Sequence, residues 1–169
     1  MIHFRISLFI AALTLVFAAC TDDVLPEIEV TEEVEVSDET QIWTGPFISF
    51  SKANGADPMS ANNQDRITDN VAITRGNDGG QIFNIITEAA ASSAVSPQGT
   101  EWAVGTIDQL DSLSFSPFRT AVGDPRDVVD QDLVVHLISD DIFFSLTFTF
   151  WNVGRNNGGG FAYERSTPE

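Results

Sequence analysis

Residues 133–151 read LVVHLISDDIFFSLTFTFW, and no other stretch constrains the fold as strongly. The residue types favour a pleated, half-buried surface, and residues 144–151 alternate between large apolar and mostly polar side chains. Two strands, 133–138 and 142–151, are therefore expected, joined through Ser139-Asp140-Asp141. An even-length turn sets Leu137 against Phe144, Val135 against Leu146 and Leu133 against Phe148. An odd one would mix His136 into that apolar row, and a one-residue slip turns every side chain to the other face. Burial thus selects Phe144, Leu146, Phe148 and Phe150 as core. The opposite face carries His136, Phe143, Ser145, Thr147, Thr149 and Trp151, with His136 packed beside Phe143.

The rest of the domain is read in the same way. Residues 47–51 are short, apolar and β-prone. Residues 71–75 and 81–86 flank Gly76-Asn77-Asp78-Gly79-Gly80, whose residues tolerate positive φ, so a hairpin is predicted. Residues 89–99 are small, Ser-rich and interrupted by proline, which suits a loop. One or two helical turns are expected over 106–113, a strand over 113–118, and a returning strand over 161–165 after Gly158-Gly159-Gly160. Short strands with Gly/Asn/Asp turns predict an all-β domain. It is an antiparallel β-sandwich, jelly-roll-like, or a barrel, with at most a short helix. Residues 41–169 hold ten Phe, three Trp and one Tyr, enough for one core and too little for two. The chain has a single cysteine, which excludes an intramolecular disulfide.

The N-terminus has a different character. His3 and Arg5 precede an uncharged, mostly apolar run to Ala19, too short to span a bilayer. It ends in Phe17-Ala18-Ala19-Cys20. This resembles the lipobox of bacterial lipoproteins, with Phe17 where leucine is usual. The resemblance implies a signal peptide over 1–19, lipidation at Cys20 and a membrane partner reached through acyl chains. Each buried methylene contributes about 0.8 kcal/mol, so two or more chains hold stably. Thr21-Asp22-Asp23 is similar to the surface-export signals of Bacteroidetes lipoproteins, which implies the outer face of the outer membrane. Residues 22–39 carry nine acidic side chains and no basic ones. Self-repulsion extends such a piece, so 20–40 is read as a tether reaching at most about 70 Å at ~3.3 Å per residue.

Two segments of the domain, ITRGNDGGQIFN (73–84) and HLISDDIFFSLTFTFW (136–151) with GGGFAYERST (158–167), resemble a recurring module at the ends of secreted or surface bacterial proteins. That resemblance covers about a third of the chain and implies no established chemistry.

Candidate chemistry is sparse. The formal net charge of −17 argues against a nucleic-acid backbone as partner. His136 is the only histidine beyond the signal, and no Gly-x-Ser-x-Gly elbow accompanies it. A packed, hydrogen-bonded strand histidine is expected. Asp127, Asp130 and Asp132 precede a strand, and Asp140 and Asp141 sit in its turn. Calcium takes several oxygen ligands, so these five are the candidate calcium ligands, without the glycine and distal glutamate of an EF-hand. The glycine runs lack a following Gly-Lys-Ser/Thr and are not phosphate loops. Aromatic rings exposed on a β-face stack on sugars or bury partners. Of Trp43, Trp102 and Trp151, the candidate ligand-binding residues are Trp102 and Trp151. The sequence therefore suggests a lipid-anchored surface module that binds a glycan or a protein partner and does not catalyse. The alternatives are an assembly subunit of an outer-membrane surface complex and a glycoside hydrolase working through paired carboxylates.

Overall fold

The computed structural model describes residues 40–169. The signal sequence, Cys20 and the acidic segment 22–39 lie outside the described residues. In chain order the strands are β1 (Gln41–Trp43), β2 (Ile48–Lys52), β3 (Asp65–Arg66), β4 (Ala72–Arg75), β5 (Ile82–Asn84) and β6 (Thr100–Val104). A short helix, α1 (Phe118–Val122), then precedes β7 (Asp132–Leu137), β8 (Ile142–Trp151) and β9 (Phe161–Arg165). The larger sheet runs β2-β9-β8-β7-β6, and the smaller is β3-β4-β5. The neighbours along both paths are antiparallel. The larger sheet does not close, so the all-β expectation is met by a sandwich-like arrangement and not by a barrel. Ile73 and Ile82 from the smaller sheet, with Val71 just before β4, share one core with Val135, Phe144, Phe148 and Tyr163 from the larger.

β8 is the spine. β7 covers one of its edges, while β1 and β9 divide the other. β1 runs parallel to β8 as far as Trp43↔Phe144, and β9 takes over at Arg165↔Leu146. Ser166 closes the gap between them. Its hydroxyl accepts from the Ser145 N–H at 3.0 Å and donates to the Trp43 carbonyl at 2.8 Å. A side chain thus satisfies backbone groups that neither strand reaches.

The β7–β8 pairing keeps the expected faces but slides by two residues. Leu137 lies opposite Ile142, Val135 opposite Phe144 and Leu133 opposite Leu146. A two-residue slide preserves which side chains are buried, so the burial argument cannot detect it. His136 pairs with Phe143 on the outer face, their rings parallel at 4.1 Å.

A second departure matters more. Between Phe148 and Phe150 the β8–β9 register shifts, with Phe148 opposite Tyr163 and Phe150 opposite Ala162. This β-bulge inserts one residue into β8 and reverses the inside–outside alternation beyond it. Phe150, expected in the core, is 44% exposed, and Trp151 turns inward.

The strand expected over 113–118 is reduced to a single bridge, Ser116 with Trp102. Pro117 has no N–H to continue a ladder, and α1 begins at once after it. Phe118 of α1 packs edge-on against Trp102 at 4.9 Å. The turn expected over 106–113 is a 3-10 helix, Ile107–Ser112.

Candidate functional site

The tryptophans chosen from sequence are core residues. Trp102 is 1% exposed, stacks on Phe148 and donates its indole N–H to Thr100 at 2.8 Å. Trp151 is 6% exposed because the bulge carries it inward, against Phe118 and Phe148. Trp43 is buried on Phe144. Neither Trp102 nor Trp151 offers a free face to a ligand, which corrects the stacking expectation.

The aspartates do not converge either. Asp132 opens the six-residue β7 and Asp140 and Asp141 follow its end, so the length of that strand, at about 3.3 Å per residue, separates the two groups. Asp140 accepts from Thr68 and Asn70 at 2.8 Å each, and Asp141 lies 3.0 Å from His136 Nε2. Asp130 serves a turn at φ 63°. Among the described residues no group of three or more His, Cys, Asp or Glu is placed to hold a metal ion. Asp127 ends the 3-10 turn Pro125–Asp127, Asp132 lies 3.5 Å from the Thr147 hydroxyl, and the five expected calcium ligands are not gathered into one site among the described residues.

The unusual chemistry lies with the cations. Residues 41–169 contain only seven basic side chains, and Lys52, Arg75 and Arg165 are all buried. Arg165 has a carboxylate. Asp65 accepts from its Nε at 2.7 Å and its Nη2 at 3.0 Å, and also from the Tyr163 hydroxyl at 2.7 Å. Burial alone would lower the Arg165 pKa, but the Asp65 hydrogen bonds and charge outweigh it and raise it. Burial and Asp65 push the Tyr163 hydroxyl well above its ordinary pKa. Asp65 belongs to the smaller sheet and Arg165 to the larger, so the pair clamps the two together.

Arg75 has no carboxylate partner among the described residues. It is 2% exposed, and its guanidinium lies 3.9 Å above the Trp151 ring centroid. Its Nε donates to the Gly80 carbonyl at 2.9 Å, and its Nη1 to the Asn152 and Gly160 carbonyls at 3.1 Å each. Burial brings its pKa down to about 10. Its Nη2 finds no acceptor among the described residues, yet it is not sealed from solvent. Arg75 lines a cavity of about 200 Å³ shared with Arg119, Asp124, Arg126, Trp151 and Asn152. Arg126 grips Asp124 through Nε at 2.9 Å and 3.0 Å and through Nη2. Those hydrogen bonds, with the Arg126 and Arg119 charges, lower the Asp124 pKa to about 2.

The triglycine explains how the chain builds this place. A Cβ on Gly159 would strike the Gly76 carbonyl oxygen, and one on Gly160 would strike the Asn54 side chain. Only glycine lets the 158–160 turn lie against the backbones of 54–55 and 76–77. That contact brings the Gly160 carbonyl to Arg75. Lys52, on the other side, donates to Asn77 Oδ1 at 2.7 Å. Burial and the Arg75 charge lower its pKa. The segments 73–84 and 136–167 thus meet at one end of the domain.

A larger depression of about 420 Å³ lies on the far side of the Gly76–Gly80 turn, lined by Met59, Phe83 and three alanines. Asp78 is its sole charged residue, so it lacks the convergent polar groups that fix a ligand. The Arg75 cavity is the better candidate. Sequence reading missed Arg75, Arg119, Asp124 and Arg126. The one available signal was an arginine ending an apolar strand, AITR, just before a glycine-rich turn.

Compared with known proteins, the chain matches no family model, no curated protein and no solved structure.

Proposed function

We propose that this chain is a surface-displayed lipoprotein whose β-domain is a binding module, with the Arg75 cavity as its ligand site. In this reading Cys20 carries the acyl chains and the acidic segment holds the domain away from the outer membrane. The ligand is a glycan or a protein partner. One observation carries the proposal: a buried guanidinium, fixed by three carbonyls over an indole ring, lines a cavity with its Nη2 unbonded among the described residues. Isolated buried charge is costly, and a donor held ready in a concave site is what a ligand would satisfy.

Binding fits the cavity better than catalysis does. Hydrolysis by paired carboxylates needs a proton donor with a raised pKa and a second carboxyl group. Asp124 is the sole carboxylate in the cavity wall, and Arg126 holds it ionised.

The test uses the full chain in its own membrane. Cells displaying it should be retained on an immobilised glycan or cross-linked to a partner, and Arg119→Ala should weaken this. Retention that survives substitution of Arg119 and Arg126 would overturn the assignment of the cavity. Cys20→Ser should release the chain from membranes, and unchanged partitioning would overturn the anchor. A stoichiometric partner captured through the edge strand β2 would favour the assembly-subunit alternative instead.

A further inference from the structure

Resting on the binding-module reading, we infer that the Arg75 cavity is an oxyanion site for an isolated carboxylate or sulfate on an otherwise neutral glycan. Charge distribution is the first support. Residues 41–169 carry sixteen acidic and seven basic side chains, yet three of those seven line one cavity whose wall holds a single carboxylate. Asp124 is already engaged by Arg126, so Arg75 and Arg119 leave the cavity net positive on an acidic domain.

Donor geometry is the second. Nε and Nη1 of Arg75 are fixed by carbonyls, so the guanidinium plane cannot rotate away, while Arg75 lines the cavity and its Nη2 makes no hydrogen bond among the described residues. A planar, always-charged fork held this way suits oxyanions and loses little entropy on binding. The indole beneath Arg75 is not available to a sugar, since the guanidinium covers one face and core rings the other.

Size and surroundings narrow the ligand. A volume of about 200 Å³ falls below the usual range for drug-sized ligands, so one sugar-sized group fits. Asp124 is an acceptor beside the arginines. A sugar acid or sugar sulfate carries several hydroxyls next to its anion and can use both, whereas a peptide carboxylate brings a single amide N–H beside it. The sixteen acidic residues repel a dense polyanion over roughly a Debye length of ~8 Å, but repel one isolated charge far less.

Calorimetric titration of the full chain in detergent micelles tests this with four probes: glucuronate, glucose, N-acetylglycine and a densely sulfated polysaccharide. Glucuronate should bind, and more weakly as salt rises. Glucose, N-acetylglycine and the polyanion should bind at least about tenfold more weakly. Arg119→Ala, at an exposed helix position, should cost about tenfold in glucuronate affinity with thermal unfolding unchanged. Arg75→Lys should cost more, because it keeps charge but loses the fork. Glucose binding as tightly as glucuronate would overturn the oxyanion site while leaving a binding module in place. N-acetylglycine equal to glucuronate would overturn the glycan and point to peptide carboxylates. Glucuronate binding indifferent to both substitutions would place the site elsewhere and overturn the inference.

Discussion

Arg165 and Arg75 are both buried arginines, and they have opposite surroundings. Arg165 meets a carboxylate head-on, with Tyr163 completing the acceptor, and joins one sheet to the other. Arg75 meets three carbonyls and a ring, and part of its fork is unspent. A buried charge neutralised by its own chain is finished as architecture. One held rigid by neutral groups beside a cavity has capacity left over.

Asp65→Ala leaves Arg165 buried without its counter-charge and should cost about 3–5 kcal/mol in urea unfolding. Replacing Asp65 and Arg165 together by apolar residues should recover much of that loss. Trp102→Ala should cost a similar ~3–5 kcal/mol through the cavity it leaves, as a core residue would and a surface stacking platform would not. Gly159→Ala should cost about 2 kcal/mol, since a Cβ there meets the Gly76 backbone at positive φ. It should also weaken ligand binding by loosening the cradle of Arg75. Asp124 has the smallest effect, being exposed. Its folded pKa of about 2 lies below the free value, so its contribution is full above pH ~4 and lost as pH falls toward 2. Asp124→Asn should flatten that acid limb slightly in a pH series of melting temperatures.

Much of the fold was legible because burial and period-2 alternation speak to the same residues. The faces of β7 and β8, the hairpin around Gly76–Gly80, the 3-10 turn and the returning strand 161–165 all follow from that agreement. What escaped has physical reasons. A slide of two residues changes neighbours without changing burial. The bulge falls at Thr149, between Phe148 and Phe150, all good strand formers, so composition carries no mark of it. It turned Trp151 from a surface candidate into a core ring. Arg75 lies far in sequence from Arg119 and Arg126, and only the packing of the glycine turns and α1 brings them together.

That single extra residue in β8 decides which aromatic ring supports the guanidinium. Were the same residues paired straight through with no bulge, Phe150 would lie beneath Arg75 and the indole would face the water. The one unmatched residue of β8, between Phe148 and Phe150, therefore separates a hidden pedestal from an open shelf. In this β-domain the count along the strand, as much as the identity of its side chains, is what makes the pocket.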